Sequence, residues 1–456
     1  MKRIYFLLIC LLATAGMIRA QDGENSLRIY GDLTTDQRFL LKETNDWAWN
    51  ENRLTMKIGK RISGSSKFYS EVWLRNIGLP SIVQSSDLYN KGIVDPMNID
   101  IREANIQFFG FLSKSLDVKI GRQMIAWGTA DKINPTSNLN PLDMEDILDF
   151  GRKRGTDAIS ANYYFNSDFY VQGVYVPFFR PANLPVGMFA QALTPDMTLP
   201  AGMTVIALND TVLMPRYNLR ESSTAGIRFK GYTKGIDLSV SYVWGYDGLP
   251  FTELNTFTPV DLTGGVSISS QLSYMRTHII GADFSANVAG AGLWGEAALF
   301  IPDQKVVMTN DLTALYPESP VPVTVDSTLA DKPYLKYIFG LDYNFSNGSY
   351  LNIQYLHGFF HERGTADLND YIFMQYELKF LREKLKIVPV GGAVIINDWG
   401  NIKDNYSIAY LPQVAVKASD DIEITLSAAI FDGKGESLFS KFNDFDMFML
   451  NLKYSF

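Results

Sequence analysis

The sequence predicts an all-β fold, namely a closed transmembrane antiparallel up-and-down barrel of about 18 strands. Three observations predict it. Apolar and polar residues alternate with a period of two in one segment after another. These segments have about ten residues each, close to the ~9–11 that a tilted strand needs to cross a bilayer. Short and long connections alternate between the segments, as they do in bacterial barrels with short periplasmic turns and long outer loops.

The first twenty residues have the layout of a secretory signal peptide. Two basic residues precede an apolar run, and a small residue, Ala20, offers a cleavage point. The single cysteine, Cys10, lies inside this run rather than at its end, which disfavours a lipoprotein anchor and leaves the mature chain without cysteine. We therefore expect cleavage near Ala20 and one domain over residues 21–456, located in the outer membrane of a Gram-negative bacterium.

The charge and composition of the mature chain narrow the class of protein. Three of the 41 basic residues lie in the signal peptide, so 38 remain against 49 acidic residues, a net charge near −11. This balance argues against nucleic acid as a partner. Beyond the signal peptide no window approaches the run of 18 or more apolar residues that a membrane-spanning helix needs. The aromatic content of 13% is typical of barrels with aromatic girdles at both interfaces.

The alternation is clearest between residues 235 and 246. One face carries Ile236, Leu238, Val240, Tyr242 and Trp244, and the other carries Asp237, Ser239 and Ser241. Side chains two apart share a face of a strand, so one face is apolar and the other polar. A soluble sandwich also alternates in this way. The strand length and the alternation of loop lengths favour the barrel.

Eighteen candidate strands follow one another along the chain. They cover residues 26–34, 53–62, 66–76, 100–111, 116–126, 156–166, 168–178, 223–232, 235–246, 276–287, 291–302, 334–346, 349–360, 370–381, 385–397, 405–417, 421–432 and 445–456. With both termini in the periplasm, every second connection must be an outer loop. The first three outer loops are then expected near residues 35–52, 77–99 and 127–155.

The last candidate strand ends the chain at Phe456. Apolar residues alternate along it, and the strand resembles the C-terminal signal by which the barrel assembly machinery recognises outer-membrane barrels. That machinery and outer-membrane lipid are therefore expected partners. The alternative is the buried last strand of a secreted sandwich, which the alternation of loop lengths disfavours.

A distinctive motif lies where the third outer loop begins. Its parts are Gly121-Arg122-Gln123, Trp127-Gly128, Ile133-Asn134-Pro135 and Leu139-Asn140-Pro141-Leu142-Asp143. Asparagine before proline favours turns, and proline fixes φ, so the pattern predicts an ordered loop.

The same motif resembles a family of porin-like outer-membrane proteins, a domain of unknown function whose proteobacterial members have been linked to the transport of lipids or hydrophobic compounds. In general porins the third loop folds inward and narrows the pore. The resemblance therefore implies that residues 127–155 fold into the lumen.

Candidate pore-lining residues follow from the alternation around this loop. Glu103, Asn105 and Gln107 alternate with apolar residues and are expected to face the lumen. Arg102 falls on the lipid-facing side by the same count. Arg122 also falls on the lipid-facing side by this count, where a cation is unfavourable. A bulge near Gly121 is expected to turn it inward. The full set of expected lining or constriction residues is Glu103, Asn105, Gln107, Arg122, Gln123, Asp143, Arg152 and Arg154.

The third loop also carries a separated charge pattern, in which four acidic residues precede Arg152, Lys153 and Arg154. Opposed rows of carboxylates and guanidinium groups would set a transverse field that selects solutes by charge. The alternative, slightly favoured for any individual residue, is a solvated surface loop whose charges compensate one another.

Signals for enzyme chemistry are weak. Of the three histidines, His357 and His361 would lie about 13 Å apart on an extended strand, too far to share one zinc. We therefore expect no enzyme, no metal and no cofactor.

The favoured function is passive, selective diffusion of small solutes. The alternatives are transport of hydrophobic or lipid-like compounds, which predicts an apolar patch in the lumen and a lateral opening, and a structural or adhesive barrel that acts through its outer loops, chiefly 179–222. Association into a homo-oligomer is left open.

Overall fold

This computed structural model describes residues 26–42, 46–149, 151–192, 202–261, 264–435 and 437–456. The expected signal peptide lies outside these ranges. The described residues form β1 (Arg28–Leu40), β2 (Trp47–Ser63), β3 (Ser66–Ile77), β4 (Met97–Phe108), β5 (Leu116–Gln123), β6 (Thr156–Tyr164), β7 (Phe169–Val176), β8 (Thr204–Val212), β9 (Thr224–Thr233), β10 (Ile236–Tyr246), β11 (Phe251–Pro259), β12 (Gly265–Ser273), β13 (Arg276–Val288), β14 (Ala291–Pro302), β15 (Val306–Asp311), β16 (Thr324–Ala330), β17 (Tyr334–Asn344), β18 (Tyr350–His357), β19 (Asp370–Phe380), β20 (Leu385–Ile396), β21 (Tyr406–Tyr410), β22 (Gln413–Lys417), β23 (Ile422–Gly433) and β24 (Met447–Ser455). Short helical turns cover Ser85–Tyr89, Lys91–Val94, Met188–Ala192, Thr313–Leu315, Trp399–Asn401 and Phe439–Phe442.

Nineteen of these segments form one closed antiparallel sheet. β21 and β22 both pair with β20 on one side and with β23 on the other, so they are two halves of one strand, interrupted at Leu411 and Pro412. Proline has no N–H to give to the ladder, which accounts for the interruption. The barrel therefore has eighteen strands. It closes where β1 pairs with β24, from Asp32 opposite Ser455 to Leu40 opposite Met447.

The predicted barrel is confirmed, and every predicted strand corresponds to a barrel strand. The largest differences lie in the first hairpin, where β1 continues to Leu40 and β2 begins at Trp47. The first outer connection is therefore limited to residues 41–46 and is much shorter than the expected 35–52. The other connections alternate as predicted, with turns such as 64–65 and 289–290 at one end and long loops at the other.

The barrel wall is apolar on its outer surface. Along β10, Leu238, Val240 and Tyr242 are 43%, 56% and 38% exposed, whereas Ser239 and Ser241 face inward and are buried. The apolar face that the sequence predicts is thus the outer one, which suits contact with lipid. Among the described residues, no helix has the length and apolar character needed to cross a membrane.

This outer surface leads to a stability prediction. Replacing Val240, midway along β10, by arginine should lower the free energy of unfolding from lipid vesicles by about 2–4 kcal/mol, because a lipid-facing cation near the bilayer centre is poorly solvated. Val205 is a matched control, since it is 39% exposed but lies on β8, outside the barrel. Val205→Arg should change the free energy of unfolding by less than about 0.5 kcal/mol. Equal effects in a urea titration would show that the β10 surface does not face lipid.

The long outer loops build a second sheet, which the pattern of the sequence does not predict. Its strand order is β16, β15, β11, β12, β8, and it combines segments of three different loops. β11 pairs in parallel with β15, and β12 pairs in parallel with β8. The outer loops are therefore held together above the barrel instead of projecting separately.

Candidate functional site

The third outer connection, residues 124–155, folds into the barrel and is here called the plug loop. Trp127, Ile133 and Asp143 are at most 5% exposed. The loop forms polar contacts with β14 and, nearly opposite in the closed sheet, with β1. A segment that contacts opposite walls must cross the lumen, so the plug loop narrows the barrel along this line.

Glu296, on β14, is the main anchor of the first part of the plug loop. One of its carboxylate oxygens, Oε1, accepts hydrogen bonds from the backbone N–H groups of Thr129 and Ala130, both at 2.5 Å, and from Asn134 Nδ2 at 2.8 Å. The other oxygen accepts one from Thr136 Oγ1 at 2.8 Å. Glu296 is only 2% exposed, and such charge-assisted bonds are short and strong.

The Trp127-Gly128 step brings the backbone close to this carboxylate. Gly128 has a φ of +88°, and a Cβ on it would lie 2.4 Å from both carboxylate oxygens of Glu296. Only glycine allows this approach. Trp127 is buried in turn, and its Nε1 donates to Gln172 Oε1 at 2.7 Å.

The two asparagines of the Asn-Pro turns act as internal braces. Asn134 donates to the carbonyl oxygen of Ala130 at 2.7 Å as well as to Glu296. Asn140 joins the two ends of the loop, because its side chain accepts from Ile125 N at 2.7 Å and donates to Arg154 O at 2.9 Å. The order that the sequence predicts for this loop therefore has identifiable hydrogen bonds behind it.

The acidic part of the plug loop pairs with arginines on the opposite wall. Three buried pairs are Asp146 with Arg38 on β1 at 2.5 Å, Glu145 with Arg75 on β3 at 2.7 Å, and Asp143 with Arg102 on β4 at 2.7 Å. Arg152 of the loop joins Asp143 at 3.0 Å. The carboxylates and guanidinium groups are thus in direct contact. They are not arranged as opposed rows, although Arg38, Asp146 and Arg152 also line a common cavity.

These pairs fix the charge state of Asp143. Burial opposes its ionisation, but the positive charges and hydrogen bonds of Arg152 and Arg102 outweigh burial and lower the pKa of Asp143 to about 2. The carboxylate is therefore ionised at every physiological pH, and the pairs persist there.

The predicted residues on β4 and β5 face the lumen, with one exception discussed below. Glu103 accepts from the backbone N–H of Met124 at 3.0 Å. Asn105 donates to the carbonyl oxygen of Arg122 at 3.0 Å, and Gln123 donates to Ala158 O at 2.9 Å. Gln107 and Gln123 line the same cavity. These side chains brace the start of the plug loop and the wall beside it.

Arg102 and Arg122 lie on the opposite sides from those expected. The pairing of β4 with β3 skips Arg102, a β-bulge that lets both Arg102 and Glu103 point inward. Arg122 instead shares the outer face of the wall with Ile120 and pairs with Asp157 at 3.0 Å. Although Gly121 has a φ of +116°, it does not turn Arg122 inward.

Arg154 lies at the end of the plug loop, where its guanidinium donates to the carbonyl oxygen of Pro181 at 2.8 Å. Burial lowers its pKa. Among the described residues Arg154 has no ion pair within 4.0 Å, whereas Asp143 pairs with Arg102 on β4 and with Arg152 of the loop. The structure therefore does not bring all predicted residues to one constriction.

Apolar side chains surround the plug loop over a larger area than the sequence pattern indicates. Trp127 and Leu139 pack against inward-facing Val243 and Ile279. Ile133 belongs to a larger cluster with Ile338, Leu356, Phe359, Tyr371, Phe439 and Phe442. The favoured diffusion channel predicts a polar lumen, whereas the alternative of hydrophobic transport predicts an apolar patch in it. In the structure the wall beside the plug loop is largely apolar, because it faces protein rather than water.

Three cavities border the plug loop. One of them, of about 340 Å³, lies beside β1 and β2 and is lined among others by Asp36, Arg38, Glu51, Arg53, Asp146 and Arg152. The outer cavity, of about 90 Å³, is lined among others by Leu139, Phe179, Tyr246, Phe300, Lys336 and Phe359. The inner cavity, of about 200 Å³, is lined among others by Gln107, Lys119, Gln123, Ser160, Gln172 and Arg228. The space inside the barrel is thus divided by the plug loop, with solvent-sized room on both of its sides.

The histidines provide no metal site. His357 Nδ1 lies 2.8 Å from Asp370 Oδ1. Within the described ranges, no group of three or more His, Cys, Asp or Glu side chains is placed to hold a metal ion.

Comparison with known proteins places the chain in a family. It is similar to the solved structures of Salmonella typhi OmpF in complex with daunomycin (10% identity, 95% of this chain and 98% of that chain, TM-score 0.41), Pseudomonas aeruginosa OccK11 (8%, 94% and 95%, 0.48) and Pseudomonas putida OprB at high pH (11%, 95% and 94%, 0.42). No curated protein matches. The family model described as "Protein of unknown function (DUF1302)" matches residues 83–380, more than half of the chain. The resemblance noted in the motif of the third loop is thereby confirmed, and the chain belongs to this family.

Proposed function

We propose that this protein is an outer-membrane channel for the passive, selective diffusion of small solutes, and that it is not an enzyme. The observation that carries the proposal is a plug loop fixed inside a closed barrel, with a cavity on each side of it. Barrels of sixteen to eighteen strands leave an aqueous lumen, which an inserted loop narrows. The narrowing would select solutes by size and by the groups that line it.

The route to the membrane belongs to the same proposal. Residues 1–20 would direct export and be cleaved near Ala20, and the strand ending at Phe456 would be recognised by the barrel assembly machinery. The apolar outer surface of the barrel wall supports a location in the lipid bilayer. Association into a homo-oligomer stays open within this proposal.

Transport of hydrophobic compounds is a second candidate, because apolar clusters surround the plug loop. This candidate requires an apolar path from the outer cavity to the wall or the periplasm. It predicts uptake of hydrophobic compounds by vesicles without a matching ionic current.

Planar-bilayer recording of the mature chain, residues 21–456, separates the two candidates. The channel proposal predicts discrete, ohmic current steps in KCl, smaller than those of an open barrel of equal strand number because the plug loop narrows the lumen. A folded barrel that inserts but carries no ionic current would contradict the channel. Uptake of hydrophobic compounds by vesicles containing such a silent barrel would favour the second candidate.

A further inference from the structure

The two sides of the plug loop differ in how their cations are compensated. On the side of β1, β3 and β4, the buried wall arginines Arg38, Arg75 and Arg102 each lie within 2.7 Å of a loop carboxylate. On the side of β9 and β17, Arg228 and Lys336 face inward, and no carboxylate oxygen among the described residues lies within 4.0 Å of either. They are 8% and 5% exposed. Burying a cation without a counter-charge is costly, which makes this second side unusual.

Lys336 presents its ammonium group to the outer cavity. Nζ donates to the carbonyl oxygens of Phe359 at 2.5 Å and Phe360 at 3.4 Å, and it lies 5.2 Å from the centre of the Phe300 ring. An ammonium has three donors, so one remains for a solute. The carboxylate of Asp247 lines the same cavity but is held by Arg363 at 2.9 Å.

Other charges near this cavity are already engaged. Arg180 lines it and is paired with Asp157 at 2.5 Å. Glu362 accepts hydrogen bonds from the backbone of Phe359 and from the Tyr371 hydroxyl, among other donors. Lys336 is therefore the cation in the outer cavity that keeps bonding capacity without a carboxylate partner among the described residues.

In the inner cavity, Arg228 is the buried cation without a carboxylate partner among the described residues. Its guanidinium donates to Ala126 O at 3.3 Å, the Tyr170 hydroxyl at 3.2 Å and Gln172 Oε1 at 3.4 Å, all of them uncharged groups. Its buried Nε has no hydrogen-bond partner. The same cavity is lined by Asp117, whose carboxylate accepts from the backbone N–H of Gly110 at 2.9 Å, and by Lys119, whose Nζ lies 3.5 Å from Glu103.

A third cation, Lys153, lies near the end of the plug loop. Lys153 donates to the carbonyl oxygen of Ser137 at 2.6 Å, and Ser137 lines the outer cavity. No carboxylate oxygen in the described part of the chain is within 4.0 Å of its Nζ. Lys336, Arg228 and Lys153 thus donate hydrogen bonds only to uncharged groups, in a chain whose net charge is −8.

Apolar groups border the same side. Phe300 and Phe359 line the outer cavity with Leu139 and Ile279, and Trp127 lies 5.5 Å below the Arg228 guanidinium. In such surroundings an ion is attracted more strongly than in bulk water, because the effective dielectric constant is lower. A solute that complements both the buried cations and the apolar groups beside them has one negative charge and an apolar body.

We infer that the solute of this channel is an organic monoanion with an apolar body, such as an aromatic carboxylate, and that it passes the plug loop between Lys336 and Arg228. The inference rests on the proposed function and names its substrate class. The carboxylate would exchange from the Lys336 ammonium to the Arg228 guanidinium, and its body would pack against the aromatic side chains beside the loop. Cations would be repelled by the Lys336 ammonium and the Arg228 guanidinium, because no carboxylate oxygen among the described residues lies within 4.0 Å of either group.

Reversal potentials in bilayers test this inference, with potassium chloride and potassium benzoate as the probes. Under a roughly tenfold KCl gradient the wild-type protein should prefer anions, and benzoate should carry current or reduce the chloride current at millimolar concentration. Lys336→Met and Arg228→Gln should each lower the anion-to-cation permeability ratio at least about threefold. Lys336→Arg keeps the charge and should keep the selectivity, which distinguishes lost charge from a folding defect.

Lys379→Met is the matched control, because Lys379 lies on β19 beside Glu377, away from the plug loop. It should leave the permeability ratio unchanged. A conducting wild-type barrel that prefers cations or neither sign would overturn the inference and leave the proposed channel standing. Unchanged selectivity in both Lys336→Met and Arg228→Gln would overturn it as well. No current from a folded wild-type barrel would instead overturn the proposed function, and the inference with it.

Discussion

Replacing Glu296 by alanine should raise the single-channel conductance at least about twofold and make the current noisier. The substitution removes the acceptor for two backbone N–H groups and for the side chains of Asn134 and Thr136. Each hydrogen bond to a charged group contributes about 1.5–3 kcal/mol, and the buried donors would be left unsatisfied. The first part of the plug loop should then leave the β14 wall.

The barrel itself should survive this substitution. Glu296 contributes to the β14 ladder through its backbone, so pairing with β13 and β17 does not depend on the carboxylate. Glu296→Gln keeps one acceptor and should lie between wild type and alanine. Glu377→Ala is the matched control, since Glu377 is a buried carboxylate that pairs with Lys379 and Lys386 instead of the plug loop. If Glu296→Ala folds and conducts like wild type, Glu296 does not anchor the loop.

Replacing Arg102 by alanine should make the plug loop sensitive to acid. In the wild-type protein the pKa of Asp143 is about 2, below the ordinary value of about 3.9. Because the folded pKa is depressed, the stabilisation by Asp143 is complete above about pH 4 and is lost only as the pH falls toward 2. Removing Arg102 should raise this pKa toward its ordinary value and weaken the buried network by about 3–5 kcal/mol.

The measurement is conductance during acidification from pH 7 to pH 2.5. Wild-type channels should keep their plugged conductance down to at least about pH 3, whereas Arg102→Ala channels should already conduct more near pH 4. Arg53→Ala is the control, because the guanidinium groups of Arg102 and Arg53 both lie over the Trp73 ring, 4.1 and 4.4 Å from its centre. Among the described residues Arg53 pairs with Glu51 on its own strand, not with the plug loop. Identical profiles for wild type and Arg102→Ala would show that the pairs with Asp143 do not hold the loop.

The strands of the barrel could be predicted from the sequence because each faces two different environments. In β10 the outer and inner faces differ in polarity at nearly every position, so the period of two is visible without any partner. The strands of the outer sheet could not be predicted in this way. β8 pairs with β12, and β11 pairs with β15, across different loops, and nothing within one loop indicates its partner.

The site could be predicted only in part, because features within the loop are visible in the sequence and its contacts with distant strands are not. The Trp-Gly step and the Asn-Pro turns indicate an ordered loop locally, and the loop is ordered by its own asparagines. Its anchor, Glu296, lies more than 160 residues further along the chain from Thr129, and on β14 it is a single acidic residue among apolar ones. Arg102 was assigned to the wrong face because one bulge reverses the alternation, and a bulge leaves no mark in the residue pattern.

The extent of the apolar lumen wall could not be predicted from the sequence pattern. In strands such as β20 both faces are apolar near the outer end, so alternation does not distinguish lipid from the inside of the barrel. The inner face is apolar there because it packs against the plug loop and against other outer loops, including Phe439 and Phe442. The contents of a barrel are set by long-range packing, which the period of a single strand does not record.

The most direct test of the account is the current through a channel that lacks the plug. Residues 129–150 would be replaced by a short Gly-Ser linker between Gly128 and Gly151, and the variant recorded beside wild type in the same bilayers and salt. We predict a folded barrel whose single-channel conductance is several-fold higher, near that of an open eighteen-strand pore. A folded deletion variant with the conductance of wild type would show that this loop does not close the lumen.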